Sequence, residues 1–145
     1  MHSQSFVIPI EPMGAPRQTR ADAWRRRPVV LRYHAFATQL RIACRGAMAA
    51  PTYSGWTCYY SMSESWSKKK KKAMAGQLHT LKPDRDNTDK AIMDSLIAED
   101  QCVAVGFLVK RWDDGKGARI ELVLGDADFA NWVATEFAHF NQANP

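Results

Sequence analysis

Two β-rich runs near the C-terminus constrain the fold of this 145-residue chain more than any other feature. They extend from Cys102 to Trp112 and from Ala118 to Leu124, and Asp113–Gly117 joins them with the letters DDGKG. Asp-Gly between two strand patterns is a strong local signal for a tight turn, so we predict an antiparallel C-terminal hairpin. One face of its first strand carries Val103, Val105, Phe107 and Val109.

The first half of the chain predicts two strands and a helix. Phe6 to Ile10 is a short β-rich run, and helical spacing of apolar residues predicts a helix from about residue 28 to 45, with Pro28 in its first turn and Gly46 after it. Alternation over residues 56–62 predicts a strand with one buried face. That face holds Trp56, Cys58, Tyr60 and Met62.

Two more helices are predicted in the second half. Lys82 to Ile97 begins extended at Pro83 and becomes a helix, which Asp86 or Asn87 can cap. Its apolar face is Ile92, Met93, Leu96 and Ile97. A last helix, capped by Asp126 or Asp128, carries Phe129, Trp132, Val133, Glu136, Phe137 and Phe140 at helical spacing. The order β, α, β, α, β, β, α predicts one α+β domain over residues 1–145, with helices packed on a mixed sheet.

Composition narrows the class of protein. Hydrophobic residues make up 46% of the chain, enough for a core, and the net charge of +5 favours a polyanionic partner such as nucleic acid. The three cysteines form no CxxC pair, so neither a disulfide framework nor a zinc knuckle is expected. The chain shows no signal-peptide pattern and no apolar run long enough to span a bilayer. We therefore expect a cytoplasmic protein with no membrane partner.

The densest chemical pattern lies between Lys82 and Asp100. Asp84 and Asp86 are two residues apart, so in an extended segment they would project from the same side. A helix beginning near Asp86 would place Lys90 one turn later on nearly the same face, and Asp100 follows the helix at the start of the next predicted strand. The pattern predicts three carboxylates and one lysine at a common site.

Such a set suits a hard divalent cation. Mg²⁺ prefers oxygen ligands and takes few carboxylates, because phosphate and water complete its octahedron. The ion can generate hydroxide and stabilise charge on phosphoryl oxygens, as phosphodiester hydrolysis requires. The absence of histidine from the segment argues against zinc.

Ordinary structural roles also explain these residues, and generic spacing alone favours them over a metal site. Asp86 can be a helix cap, Asp89 a first-turn charge that suits the helix dipole, and Lys90 with Asp94 a surface ion pair. A pair of aspartates separated by one residue is common by chance. Spacing alone therefore leaves the metal site as the less favoured of two open interpretations.

The sequences KPDRDNTDKAIMDSL and EDQCV, with the hydrophobic run ending in KRW, resemble the RusA family of Holliday junction resolvases. The family pattern is an Asp-x-Asp-Asn-x-x-Lys helix followed by an acidic pair before a strand. PMGAPRQTRADAW and SWSKKKKKAM are also similar to segments of phage-encoded members. The last twenty or so residues add little to the resemblance.

The resemblance implies roles for individual residues. Asp84, Asp86 and Asp100 would be metal-binding acids, Lys90 the essential basic residue and Asn87 a supporting or capping group. The acidic pair is Glu99-Asp100, where the family frequently has two aspartates, so the third ligand is either Asp100, which fits the spacing better, or Glu99. The implied cofactor is Mg²⁺, with Mn²⁺ able to substitute.

The resemblance also implies a homodimer that binds four-way DNA junctions and cuts two strands symmetrically, in a bacterial or phage setting. Two basic segments would contact DNA phosphates without reading sequence. They contain Arg17, Arg20, Arg25, Arg26, Arg27, Lys68, Lys69, Lys70, Lys71 and Lys72. For the lysine run taken alone, a solvated helix face or a mobile loop is the favoured interpretation. Trp24 and Trp66 are candidates to insert at a junction, with packing as the ordinary alternative.

Two other functions remain open. The same metal chemistry would serve a nuclease for other branched DNA, such as flaps and forks. A DNA-binding module without catalysis is the other alternative, although acids near a phosphate-binding surface weaken binding unless a metal occupies them.

Overall fold

A four-stranded mixed sheet carries the fold in the computed structural model, which describes residues 1–143. The strands are β1 (Ser3–Ile8), β2 (Tyr53–Tyr60), β3 (Val105–Trp112) and β4 (Arg119–Gly125). The helices are α1 (Pro28–Ala43), α2 (Lys68–Met74), α3 (Arg85–Leu96) and α4 (Ala127–Ala143), with 3₁₀ turns at Arg20–Ala23 and Asp100–Cys102. This is the predicted α+β class with a mixed sheet. The predicted domain of residues 1–145 includes Asn144 and Pro145, which lie outside the described residues.

The predicted C-terminal hairpin is wrong. The strand order is β1-β4-β2-β3, so β2 lies between the two strands expected to pair. Trp56 of β2 is opposite Leu108 in a parallel pair and opposite Leu122 in an antiparallel pair. The turn itself forms as the residues predict, with positive φ at Gly115 and Gly117. Turn chemistry reverses the chain direction, but burial of the apolar strand β2 decides which strand lies next to β3.

The core lies where α1 and α3 cover the sheet. It includes Phe36 and Leu40 of α1, Ile92 of α3, and Trp56, which is fully buried, from β2. Trp56, Cys58 and Tyr60 are buried along β2 while Thr57 and Tyr59 are partly exposed, which confirms the predicted two-residue period as far as Tyr60. Met62, predicted on the same face, lies beyond the end of β2 and is only partly buried. The predicted helix at 28–45 is confirmed as α1, and the apolar residue Ile92 of α3 is buried as expected.

The start of α3 differs from the prediction. Asp84 is the N-cap, with extended backbone angles, and its carbonyl already accepts the first helical hydrogen bond from the Thr88 amide at 3.1 Å. Neither Asp86 nor Asn87 is the cap, and the Asp84 side chain makes no capping hydrogen bond. Pro83 restricts Lys82, the residue before it, and places no such restriction on the residues that follow, so the helix can begin directly after Asp84.

The C-terminal helix α4 forms as predicted but is only partly packed. The Asp126 carboxylate caps it by accepting from the Phe129 amide at 2.9 Å. Phe129 packs edge-on against Tyr53, whereas Phe137 is 65% exposed. The C-terminal half of α4 therefore presents apolar side chains at the surface. None of the helices within residues 1–143 has the length and apolar character needed to cross a membrane.

Candidate active site

A cleft of about 300 Å³ lies beside α3, and most of the predicted catalytic residues line it. Asp86 and Lys90 reach it from consecutive turns of α3, and Asp100 reaches it from the 3₁₀ turn before β3. Its lining is Asp86, Asp89, Lys90, Met93, Asp94 and Asp100. The structure thus brings together three of the four predicted residues. Asp100, and not Glu99, is the member of the acidic pair that lines the cleft.

Asp84 does not share this cleft. It lines a neighbouring, more open one of about 720 Å³, together with His79 and Lys110. The expected side-by-side arrangement of Asp84 and Asp86 is wrong, because it required both in one extended segment and Asp86 is already in the first turn of α3. Within residues 1–143, no three His, Cys, Asp or Glu side chains lie close enough to hold a metal ion between them.

Lys90 is exposed and lies on the cleft. Its ordinary alternative role, an ion pair with Asp94, does not form among the described residues. The ammonium group is therefore available to a ligand in the cleft.

Asp89 is a cleft residue whose role the sequence did not reveal. One of its carboxylate oxygens accepts a 2.6 Å hydrogen bond from the indole nitrogen of Trp56, a fully buried residue. Next to it, the hydroxyl groups of Thr88 and Tyr60 lie 2.7 Å apart in the core. These two contacts fix the position of the first turns of α3 relative to β2. The spacing from Asp86 indicates that Asp89 shares its face of the helix, but its partner is 33 residues away in the chain.

Lys110 is a second residue near the site whose role the sequence did not indicate. Its ammonium group donates to the carbonyl oxygen of Leu81 at 2.6 Å and also to that of Pro83. Burial lowers the pKa of Lys110, and the nearby Asp84 carboxylate opposes that shift. Lys110 therefore holds the segment that leads into α3 and places a positive charge next to Asp84. The signal in the sequence that could have indicated this role is a lysine near the end of an apolar strand.

An aromatic stack connects the site to the lysine run. The ring of His79, which is 6% exposed, lies between Tyr60 at 4.3 Å and Trp112 at 4.1 Å. Burial lowers the pKa of His79, and Lys110 lowers it further. Trp66 packs edge-on against Trp112, and the Lys70 ammonium lies 4.0 Å from the Trp66 ring. Trp66 thus has the packing role, which anchors α2 to the core.

The lysine run is helical, and most of it faces solvent. Lys68 to Lys72 form the first turns of α2, and the Ser67 hydroxyl caps the helix by accepting from the Lys70 amide at 3.1 Å. Lys71 is partly buried and the other four are exposed. The interpretation as a solvated helix face is confirmed, and such a face also leaves these charges accessible to a polyanion.

The N-terminal basic segment, Arg17–Arg27, begins next to the cleft. The amide of Ala15 donates to the carbonyl of Asn87 in α3 at 3.0 Å, and Arg17 lines a further cleft together with Lys90 and Asp94. We call Arg17–Arg27 the basic loop. Four of its arginines are exposed: Arg17, Arg20, Arg25 and Arg26.

Arg27 has a different role from the other arginines in the basic loop. Its guanidinium donates to both carboxylate oxygens of Asp22, at 2.6 and 2.7 Å, and to the carbonyl of Arg17 at 2.8 Å. This bidentate pair holds the pKa of Asp22 well below its usual range. The donors of Arg27 that were expected to contact DNA are used inside the loop.

Comparison with known protein families identifies a match that includes the residues of this site. Residues 9–123, from the end of β1 into β4, match the family described as Endodeoxyribonuclease RusA. The match includes every residue that lines the cleft beside α3. No curated protein matches the chain. Because the match spans most of its length, the chain belongs to the RusA family of endodeoxyribonucleases, which are enzymes that hydrolyse DNA.

Proposed function

We propose that this chain is a magnesium-dependent endonuclease that resolves four-way Holliday junctions by paired, symmetric phosphodiester hydrolysis, in DNA recombination and repair. One observation carries the proposal: Asp86, Asp100 and Lys90 converge on a single cleft in a member of an endodeoxyribonuclease family. The basic loop beside that cleft is the kind of surface that attracts the DNA backbone.

The donors in the cleft fit Mg²⁺. Magnesium sites in enzymes that act on phosphates usually employ one or two carboxylates, with substrate oxygens and water as the other ligands. Asp86 and Asp100 would hold the ion. Asp84 lines the neighbouring cleft, so it would join them as a third carboxylate only when metal and DNA draw the two clefts together. When bound, Mg²⁺ would supply Lewis-acid activation of water and stabilisation of charge on the phosphoryl oxygens, and Mn²⁺ would replace it.

The side chains around the cleft would orient the phosphodiester. Lys90 would neutralise negative charge that develops on the phosphate, because its ammonium is exposed in the cleft. Asp89 would set the position of α3 through Trp56, and Lys110 would fix the segment that carries Asp84. The backbone carbonyl of Asn87 accepts from Ala15, in the segment that leads into the basic loop.

Cleavage assays separate this proposal from its alternatives. Labelled four-way junctions, flaps, forks and linear duplexes are incubated with Mg²⁺, with Mn²⁺ and with EDTA. We expect symmetric cuts in junctions with either metal and none with EDTA. Preferential cutting of flaps or forks would favour the alternative branched-DNA nuclease, and tight binding without any cleavage would favour a binding module.

The lysines of α2 are proposed to neutralise DNA phosphates. Replacing Lys68, Lys69 and Lys72 by alanine removes three exposed charges and retains Lys70, which packs on Trp66. The slope of log affinity against log salt should become shallower by up to about 2.7, since each lost phosphate contact changes it by about 0.9. Junction binding in EDTA across a salt series measures this slope.

Lys116→Ala, in the exposed turn between β3 and β4, is the control for a general loss of positive charge. It should change the slope little. An unchanged slope in the triple variant would mean that α2 does not contact DNA.

We also propose that the enzyme is a homodimer. A two-fold dimer with one site per subunit would make paired cuts in a pseudo-symmetric substrate. The support is the C-terminal half of α4, where the apolar side chain of Phe137 is 65% exposed, as expected for a surface that another subunit covers.

Phe137→Glu should therefore convert dimers to monomers in sedimentation velocity, because a carboxylate would be buried in an apolar interface. Thr135→Glu, on the opposite side of α4 and also exposed, should leave the dimer intact. A wild-type protein that sediments as a monomer at high micromolar concentration would contradict the proposed dimer.

A further inference from the structure

Trp24 is the most exposed of the five tryptophans, at 73%, and lies directly after the 3₁₀ turn Arg20–Ala23. Trp56 and Trp112 are buried, and Trp66 packs against Trp112. Trp24 has no comparable packing, so the ordinary explanation for a tryptophan at this position does not apply. Its large aromatic surface faces water and is available to a partner.

The loop that presents Trp24 is closed by a polar clamp. The Asp22 carboxylate accepts from the Thr19 amide at 2.6 Å and from the Arg27 guanidinium at 2.6 and 2.7 Å. Arg27 also donates to the carbonyl of Arg17, across the base of the loop. Because both sides of the loop are tied to Asp22 and Arg27, Trp24 is presented on a restrained turn.

The position of the loop relates Trp24 to the cleft beside α3. Arg17 and Gln18 line a cleft together with Lys90 and Asp94, two residues that also line the cleft holding Asp86 and Asp100. At its start, the Ala15 amide bonds directly to the Asn87 carbonyl. DNA whose phosphate reaches Lys90 would therefore have its neighbouring nucleotides close to the basic loop.

The surroundings of Trp24 identify the class of partner. Arg20, Arg25 and Arg26 flank it and are exposed, while Asp22, the acid within this stretch, is neutralised by Arg27. An aromatic side chain among cations that track a phosphate backbone is the arrangement by which proteins bind unpaired bases. A protein partner would need no such concentration of positive charge.

We propose that Trp24 stacks on a base that is unpaired at the branch point of the DNA substrate, while the flanking arginines hold the adjacent phosphates. The inference rests on the proposed function, because it requires a branched substrate. It makes Trp24 a specificity residue that favours branched DNA over continuous duplex, since the bases of an intact duplex are already stacked on each other.

The test uses a four-way junction with 2-aminopurine at the branch point, in EDTA so that no strand is cut. Wild-type protein should change the 2-aminopurine fluorescence on binding. Trp24→Ala should remove that change and weaken junction affinity by about 5- to 150-fold, the range for loss of one base-stacking contact. Trp24→Phe should retain both in large part, and linear duplex affinity should be unchanged in either variant.

Arg26→Ala is the matched control. It removes one exposed charge next to Trp24, so it should weaken junction and duplex binding alike and leave the fluorescence change of the bound complex intact. Thermal melting of each variant checks that the fold is retained.

The outcomes separate this inference from the proposed function. A Trp24→Ala protein with normal junction preference and a normal fluorescence change would overturn the inference and leave the proposed function standing. Equal loss of junction and duplex binding would overturn it too, because Trp24 would then only shape the loop. A wild-type protein that binds junctions no better than duplex would contradict the proposed function, and the inference would fall with it.

Discussion

Asp86→Asn and Asp100→Asn are each expected to reduce junction cleavage by at least about 10²- to 10³-fold, the effect of removing one preorganised stabilising group. Both carboxylates line the cleft with Lys90, and an amide is a poorer ligand for Mg²⁺ than a carboxylate. Asp84→Asn is expected to have the same effect. Steady-state cleavage of a labelled junction at saturating Mg²⁺ measures each loss.

The same three variants should lose cleavage activity but not junction affinity. In metal-free buffer, removing a negative charge from a surface that faces DNA reduces repulsion, so junction affinity should persist or increase. Gel-shift titration in EDTA tests this in all three variants. Loss of cleavage together with loss of binding would indicate a damaged fold, which thermal melting would reveal.

Two conservative variants serve as controls. Glu99→Gln alters the acid that does not line the cleft, and Asp94→Asn alters an acid that lines it without an expected role in metal binding. Both should retain most of the activity. Near-normal cleavage by any two of the three aspartate variants would refute the metal-site assignment.

Trp56→Ala should cause the largest loss of stability among single substitutions near the site. Trp56 is fully buried in the core and pairs with both β3 and β4 through its strand. Truncating a buried tryptophan to alanine typically costs about 3–5 kcal/mol, from lost burial and from the cavity left behind. Since a domain is stable by only about 5–15 kcal/mol, urea denaturation should show a large fall in midpoint.

A double-mutant cycle isolates the hydrogen bond from the packing. Trp56→Phe retains most of the apolar volume but leaves Asp89 without its donor, and Asp89→Ala leaves the buried indole N–H without an acceptor. A hydrogen bond to a charged group contributes about 1.5–3 kcal/mol, so the two changes should couple by that order. Strictly additive effects would mean that the contact between Trp56 and Asp89 contributes nothing to stability.

Patterns confined to one element were readable from the chain. Helical spacing after Pro28 predicted α1, alternation around Trp56 predicted the buried face of β2, and the four-residue spacing of Asp86 and Lys90 placed both on one face of α3. In each case the geometry of a single helix or strand determines the relation between the residues. No distant part of the chain has to be known.

Relations between elements were not readable in the same way. The DDGKG turn reverses the chain as its residues predict, yet the partner of β3 is β2, because inserting an apolar strand between β3 and β4 buries Trp56 and Cys58 on the sheet. The separation of Asp84 from Asp86 followed from where α3 begins, a boundary that spacing locates poorly.

The sequence by itself therefore determined the periodic elements, the positive charge and the motif that indicates the RusA family. Only the tertiary structure decided which charged groups are used internally and which face a ligand. Arg27 pairs with Asp22, Asp89 accepts from Trp56, and Lys110 holds the entry to α3. Trp24 is left exposed on the basic loop. The contacts of Asp89 and Lys110 depend on how segments far apart in the chain pack together, because these hydrogen bonds arise only when those segments meet.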